Sequence, residues 1–235
     1  MIRAASHTCA AAVVTSAALL IGSPSAAGEL AVEAQAGYFD MAAKDSAQAV
    51  FGSSGGVTLG GAVRYNVWRG AFVSAGVRTF SKEGERVFVL SPGGAVQKLG
   101  FPVSLRLTPV LLMAGYRFRH GRTIVPYAAA GASVTSYSES SDVAGESFDL
   151  TATQTGFAAA AGVEYGRSRF RAGLELGYSK VPGVIGLGGV SKVYGEDDIG
   201  GFHLVGKIAV AFGFGPSPPP APSKPKPGSG RPSQP

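Results

Sequence analysis

The sequence predicts an all-β fold, an eight-stranded antiparallel up-and-down transmembrane β-barrel. Apolar side chains recur at every second position in several runs of roughly ten residues, the pattern of a strand with one apolar face. The segments between these runs are alternately short and long, as in a chain of hairpins that crosses a membrane. The chain is also rich in glycine and poor in charge, with 35 glycines in 235 residues and 15% charged residues, which suits a narrow, crowded barrel interior.

The clearest of these runs is Gly201–Phe214. Its even positions carry Phe, Leu, Ile and Val, whereas its odd positions are mostly small and include Lys207. A soluble β-sandwich would place many water-seeking residues on the second face. A face of small residues fits instead the lumen of a small barrel whose apolar residues face lipid. A crossing strand needs roughly 9–11 residues, so this run is long enough.

The same alternation predicts eight strands. They are Glu29–Tyr38, Gly56–Val67, Ala71–Phe80, Val103–Phe118, Thr123–Tyr137, Ala152–Tyr165, Arg169–Ser179 and Gly201–Phe214. Strand five is so rich in Ala and Gly that its two faces are alike, and its facing stays open. In strand four the apolar positions change from odd to even numbers at Thr108-Pro109. Because proline cannot donate to a ladder and an extra residue reverses the facing, we predict a β-bulge there.

Short and long connections alternate between the predicted strands. The short ones are Trp68–Gly70, Arg119–Arg122 and Gly166–Ser168, and the long ones are Asp40–Ser54, Ser81–Gly100, Ser138–Thr151 and Lys180–Gly200. An even number of strands places both ends of the barrel on the short-turn side, which is the periplasmic side of bacterial barrels. Aromatic residues gather at this side and predict an interfacial girdle. Its members are Tyr65, Trp68, Tyr116, Phe118, Tyr165, Phe170, Phe212 and Phe214.

Residues 1–27 are predicted to be a signal peptide. Arg3 precedes an apolar core at Ala10–Ile21, and small residues permit cleavage after Ala27. A membrane anchor is the alternative, but this apolar run is short and Pro24 follows it. Cys9 is the only cysteine and would leave with the signal, so we expect no disulfide and no cysteine-based metal site.

Residues 215–235 are predicted to form a disordered tail, because Pro, Lys and Ser dominate them. We expect a solvated periplasmic tail; electrostatic contact with the cell wall or with membrane anions is the alternative. The chain carries a net charge of +6, and Lys224, Lys226 and Arg231 in the tail supply part of it. A net positive charge that comes mainly from a tail and from short turns does not predict nucleic-acid binding.

Strand phase places a set of charged residues on the predicted inner face of the barrel. They are Glu33, Arg64, Arg78, Arg117, Glu164, Arg171, Glu175 and Lys207. An enclosed charge needs a partner, so the sequence predicts a lumen filled with ion pairs. We expect Glu164 to stand opposite Arg171 across a turn, and Glu175 to pair with Lys207. A structural network is favoured over an ion path, because side chains largely fill a barrel of eight strands.

No catalytic, cofactor-binding or metal-binding residue is predicted. Barrel enzymes that act on lipid acyl chains need a histidine beside a serine or a carboxylate. His203 lies near the outer end of a strand, but its phase points it into the lumen and away from lipid. The acidic run Glu196-Asp197-Asp198 could bind a divalent cation, since carboxylates are hard ligands, yet a solvated acidic loop is the favoured interpretation.

The strand ends carry a resemblance to a known family. Tight arginine-containing turns follow Tyr-Asn-Val-Trp, Gly-Tyr-Arg-Phe and Gly-Val-Glu-Tyr-Gly, and the last strand closes on Ala-Phe-Gly-Phe. Over Glu29–Phe214 the chain resembles the outer-membrane β-barrel domain family, which includes OmpX and the transmembrane part of OmpA. The resemblance implies outer-membrane localisation and recognition of the aromatic end by the barrel assembly machinery. OmpA-like chains continue into a peptidoglycan-binding domain, for which Gly215–Pro235 is too short.

Two functions from different classes fit these observations. The favoured one is a structural or surface-interaction role through four long extracellular loops, with outer-membrane lipids as partners, external ligands at the loops and a monomeric barrel. The alternative is a small-solute channel. A secreted soluble ligand-binding barrel, such as a lipocalin, is a third hypothesis, and it requires apolar residues inside the barrel.

Overall fold

The computed structural model describes residues 28–68, 70–118, 123–143, 146–166, 169–183, 185 and 190–213. The predicted signal peptide, the predicted tail and Phe214 lie outside these residues. So do Arg69, the segment Arg119–Arg122 and the pair Arg167-Ser168 of the short turns. What was inferred about these parts from the sequence stays a prediction.

Eight antiparallel strands follow one another around a closed barrel, which confirms the predicted fold class. The strands are β1 (Glu29–Met41), β2 (Gly55–Trp68), β3 (Ala71–Val89), β4 (Val96–Arg117), β5 (Ile124–Val143), β6 (Glu146–Tyr165), β7 (Phe170–Lys180) and β8 (Gly201–Gly213). The first and last strands pair along their whole length, from Glu29 opposite Gly213 to Met41 opposite Gly201. The ladder is therefore continuous around the barrel, and β1 and β8 have no open edge.

The outside of the barrel carries a broad apolar belt. Its members include Val32, Leu59, Val63, Val73, Val77, Leu112, Val163, Leu174, Leu176, Leu204 and Ile208, all of them exposed. The largest apolar patch on a soluble monomer rarely exceeds a few hundred Å², so a continuous ring of this kind fits lipid contact. An apolar exterior contradicts the soluble lipocalin-like alternative, in which these residues would face inward.

β3 to β6 are longer than the other four strands and rise above the belt as two long hairpins. We call this part the outer extension. The segments Ser81–Gly100 and Ser138–Thr151, predicted as long loops, are mostly strand. The β3–β4 ladder shifts register between Glu85 and Val87, and Gly100 lies across from this shift with φ +77°, a left-handed conformation that favours glycine.

The predicted β-bulge at Thr108-Pro109 is wrong. β4 keeps one register against β5 from Val103 to Arg117, so its odd residues point inward throughout. The facing of β4 stays the same along the strand, but the character of its inward residues changes. They are apolar above the belt, and at the short-turn end the strand contributes Arg117 to the interior. β5, whose facing the sequence left open, follows the same rule and buries the odd residues Val125, Tyr127 and Tyr137.

An apolar plug closes the outer end of the barrel. Its centre consists of Met41, Ala43, Ala47, Phe80, Leu105, Leu107, Tyr137, Val181, Ile185 and Ile199, all buried. Two short helices hold it, α1 (Lys44–Phe51) between β1 and β2 and α2 (Val190–Tyr194) before β8. The segment Asp40–Ser54 was predicted as a polar loop and is largely helix α1. Among the described residues no helix is long and apolar enough to cross a membrane.

Candidate functional site

The candidate site is a network of charged side chains in the lumen beneath the plug. Strand alternation aims these side chains inward, and their density reflects the narrow barrel. Glycines on the inner face leave room for the largest of them. A Cβ on Gly162 would meet the Tyr127 hydroxyl at 2.5 Å, and one on Gly177 would meet the His203 ring at 2.3 Å.

Arg64 is the most enclosed cation of the network, with 1% of its surface exposed. Its guanidinium makes a two-pronged contact with the Glu164 carboxylate on the far side of the barrel, and lies 3.2 Å from Glu33 Oε1. Arg117 Nη2 lies 3.2 Å from Glu164 Oε2, the oxygen that Arg64 Nη2 also contacts. Two arginines therefore share one carboxylate, an arrangement in which removing Glu164 would leave two buried cations facing each other.

Glu175 is the centre of the upper part of the network. It accepts hydrogen bonds from Arg78 Nη2 at 2.5 Å and from the Tyr127 hydroxyl at 2.7 Å. His203 Nε2 lies 3.6 Å from its Oε1 atom. Arg78 also donates to Gln35 Oε1 at 2.8 Å. This layer spans the barrel directly below the apolar plug.

Lys207 joins the upper and lower parts. Its ammonium lies 3.4 Å from Glu175, 3.5 Å from Glu33 and 3.5 Å from Glu164. It also lies 4.1 Å from the centre of the Tyr127 ring. The expected contact between Glu175 and Lys207 is present in the structure, but it is one of three nearly equal contacts.

The expected pairing of Glu164 with Arg171 is wrong. The β6–β7 register places Gly173, not Arg171, opposite Glu164. Arg171 lies lower, at the periplasmic mouth, where it binds Glu29 through both terminal nitrogens, one of them at 2.6 Å. Residues 171 and 173 both face inward, so strand alternation alone could not show which of them stands opposite Glu164.

Among the described residues, four polar residues that contact the predicted charges were absent from the predicted network. They are Glu29, Gln35, Tyr127 and His203. Glu29 and Gln35 share the inward phase of Glu33, so the sequence contained the signal for both. Tyr127 was missed because the facing of strand five was left open. His203 was placed in the lumen by its phase but was not connected to Glu175, since that contact depends on barrel register.

The predicted aromatic girdle lies on the outside at the short-turn end. Every described member is exposed, from Tyr65 to Phe212. Tyr116 and Phe118 meet edge to face with ring centroids 5.3 Å apart. At the opposite rim Tyr178 and Phe202 have centroids 4.7 Å apart. Two aromatic levels of this kind mark the two interfaces of a membrane.

The acidic run before β8 is structural. It was predicted as a solvated loop, yet Glu196 accepts hydrogen bonds from the backbone amides of Asp45 and Ser46 at 3.0 and 2.9 Å. These amides are unpaired donors at the start of α1, so Glu196 caps that helix from a distant part of the chain. Asp198 likewise accepts from the amides of Val181 and Gly200, both at 2.8 Å. In the described part of the chain no cluster of His, Cys, Asp and Glu has a metal-binding arrangement.

The space left in the lumen is small. A cavity of about 30 Å³ lies between the network and the plug, bordered by Arg78, His203, Phe80 and Ile199. A second cavity of about 30 Å³ lies lower, beside Arg64 and Lys207. Each has room for about one or two water molecules.

Comparison with known proteins shows which solved structures share this fold. No protein-family model and no curated protein sequence matches the chain. Solved structures do match. A major outer membrane protein from Thermus thermophilus is similar with a TM-score of 0.56 and 13% identity, over 80% of this chain and 100% of the other. The outer membrane protein OprG from Pseudomonas aeruginosa is similar with a TM-score of 0.54 and 13% identity, over 80% of this chain and 96% of the other.

These matches confirm the resemblance at the level of the fold. They agree with the exposed apolar belt and the two aromatic levels, which require a lipid surrounding. The chain is therefore an integral outer-membrane β-barrel protein with the fold of the small eight-stranded barrels.

Proposed function

We propose that the protein is a sealed barrel that works as a structural and surface-interaction protein through its outer end. The observation that carries this proposal is a pair of barriers in series. The apolar plug lies above, and the layer around Glu175 and Arg78 lies below it. A permeant ion would have to displace both, and buried ion pairs resist separation because each partner would be left uncompensated.

The outer extension supports the surface role. It projects two long hairpins, whereas the short-turn end offers connections of a few residues. Interaction sites concentrate on segments that a rigid scaffold presents to solvent. The barrel supplies that scaffold, and the plug fixes the base of the hairpins through Phe80 and Leu105.

The test is conductance of the purified protein in planar lipid bilayers. We expect no stable conductance steps from the wild-type chain. A triple variant, Arg78→Ala, Glu175→Ala and His203→Ala, removes the upper layer but leaves the apolar plug in place, so it should not conduct either. Heat-dependent gel migration checks that both proteins are folded barrels. Conductance steps from the wild type would favour a small-solute channel and refute the proposal.

A further inference from the structure

The outward face of the outer extension is rich in hydroxyl groups. Where the belt ends, Glu83, Arg106 and Asp149 are among its outward residues, but most of the outward side chains bear a hydroxyl. They are Thr79, Ser81, Ser104, Thr108, Ser136, Ser138, Ser140, Thr151 and Thr153, which we call the hydroxyl face. All of them are exposed or half-exposed.

The strand registers arrange this face in rows. Val77, Val110 and Val134 stand side by side as the last apolar row. Thr108, Ser136 and Thr153 form the next row. Above it lies a row of Ser81, Arg106, Ser138 and Thr151, and above that a row of Glu83, Ser104, Ser140 and Asp149. The order away from the membrane is thus apolar, hydroxyl, cationic and acidic.

Arg106 is the cation at the centre of the face. It is exposed, and within the described residues it has no salt-bridge partner. The hydroxyls of the face likewise make no side-chain hydrogen bond to the described part of the chain, so their donors and acceptors are free for a ligand. Four residues separate Arg106 from Val110, about 13 Å along the strand and about 10 Å along the membrane normal at a usual strand tilt. An arginine side chain at this height reaches the lipid head groups.

We propose that the hydroxyl face binds the phosphorylated saccharide head group of an outer-leaflet glycolipid. The face is continuous with the lipid-contacting belt, so a lipid whose acyl chains pack on the valine row brings its head group onto the hydroxyl rows. Arg106 binds the phosphate, for which a guanidinium is well suited. The serine and threonine hydroxyls exchange hydrogen bonds with sugar hydroxyls, and short side chains lose little conformational freedom in doing so. The acidic row lies farther out, away from the phosphate. This inference rests on the proposed surface role and not on the sealed lumen.

The test uses a photoreactive residue at Ser138 in the full-length protein, reconstituted in phosphatidylcholine bilayers that contain lipopolysaccharide. Parallel bilayers contain phosphatidylglycerol, which is anionic but has no sugar, or dephosphorylated lipopolysaccharide. We expect cross-linking to lipopolysaccharide well above both controls. Arg106→Gln should lower it about tenfold, the loss typical of one charge-assisted hydrogen bond. Lys98→Gln removes an exposed cation at the hairpin end, outside the face, and should leave it unchanged.

A second arm removes the hydroxyls. Ser104→Ala and Ser140→Ala together should lower the yield with lipopolysaccharide and leave the yield with phosphatidylglycerol unaltered. Equal yields with the two lipids, or equal effects of Arg106→Gln and Lys98→Gln, would overturn the proposal. Conductance recorded on the same preparations keeps the two proposals separate, since a conducting barrel that still binds the glycolipid refutes only the sealed lumen.

Discussion

At the scale of single residues, alternation was sufficient to aim the charged side chains but not to pair them. All eight residues of the predicted network lie on the inner face. Their partners depend on the relative height of non-adjacent strands. Arg64 on β2 meets Glu164 on β6, and Arg171 on β7 meets Glu29 on β1. Stagger around a closed barrel sets these heights, and a single sequence does not specify that stagger.

Replacement of Lys207 tests the three-way contact. Lys207→Met should destabilise the barrel by about 3–5 kcal/mol in urea unfolding, because it leaves carboxylates without their shared cation. Among second changes to glutamine, Glu33→Gln should recover the most stability. Without Lys207, Glu164 keeps the cations Arg64 and Arg117, and Glu175 keeps the cation Arg78. Among the described residues Glu33 keeps a share of the cation Arg64 and a neutral hydrogen bond from Gln35.

The control for this series is Glu175→Gln in the same Lys207→Met background. If Lys207 and Glu175 formed an exclusive pair, this double variant would recover the most, and Glu33→Gln would add its own loss. That result would contradict the three-way contact.

At the scale of elements, β4 shows why one strand misled sequence reasoning. Its lipid-facing positions were expected to stay apolar, so the change of the apolar positions from odd to even numbers was interpreted as a β-bulge. The strand is in fact longer than the membrane is thick, and the apolar side changes from outside to inside where it leaves the belt. The facing of a long barrel strand can therefore be predicted only if the part in lipid and the part in water are considered separately.

A pair of lysine substitutions on the outward face of β4 tests this account. Leu112→Lys places a charge in the belt, where Leu112 is 52% exposed, and should cost about 2–4 kcal/mol in unfolding from lipid bilayers. Ser104→Lys, on the same face above the belt, should change stability by less than about 0.5 kcal/mol. A large cost for Ser104→Lys as well would mean that residue 104 faces the barrel interior, as the predicted bulge requires.

Helix α1 was missed although its signal was present. Ala43, Ala47 and Val50 recur at helical spacing and form its buried side. The polar residues among them favoured a loop, and the segment has no capping residue at its own start. Glu196 supplies the cap instead, from about 150 residues away, which no local pattern could reveal.

At the scale of the whole molecule, the fold was predictable because strand period, connection lengths and aromatic positions agree with one another. The same three features predict the orientation in the membrane, which stays a prediction. The apolar plug at the outer end was not predictable, since it combines α1, α2 and the inner side of the outer extension. These segments are far apart in the chain, and none of them by itself indicates a plug.

The aromatic end of β8 belongs to this scale because it concerns assembly of the whole barrel. Phe214→Ala should reduce insertion in cells far more than folding into detergent, since the resemblance implies that the assembly machinery reads this residue. The measurement compares the folded fraction in outer membranes with that in micelles. Phe212→Ala is the control on the same face. Equal losses in cells and micelles for Phe214→Ala would mean that this residue acts through packing alone.

The ion pairs of the lumen also determine when the barrel becomes stable. Arg64 and Glu164 are 100 residues apart in sequence, Arg78 and Glu175 are 97 apart, and Glu29 and Arg171 are 142 apart. Early hairpins therefore expose charges whose counterparts have not yet arrived. Lys207, which contacts three carboxylates, comes with the final strand. The step in which β8 closes the barrel therefore also supplies the cation that Glu33, Glu164 and Glu175 share.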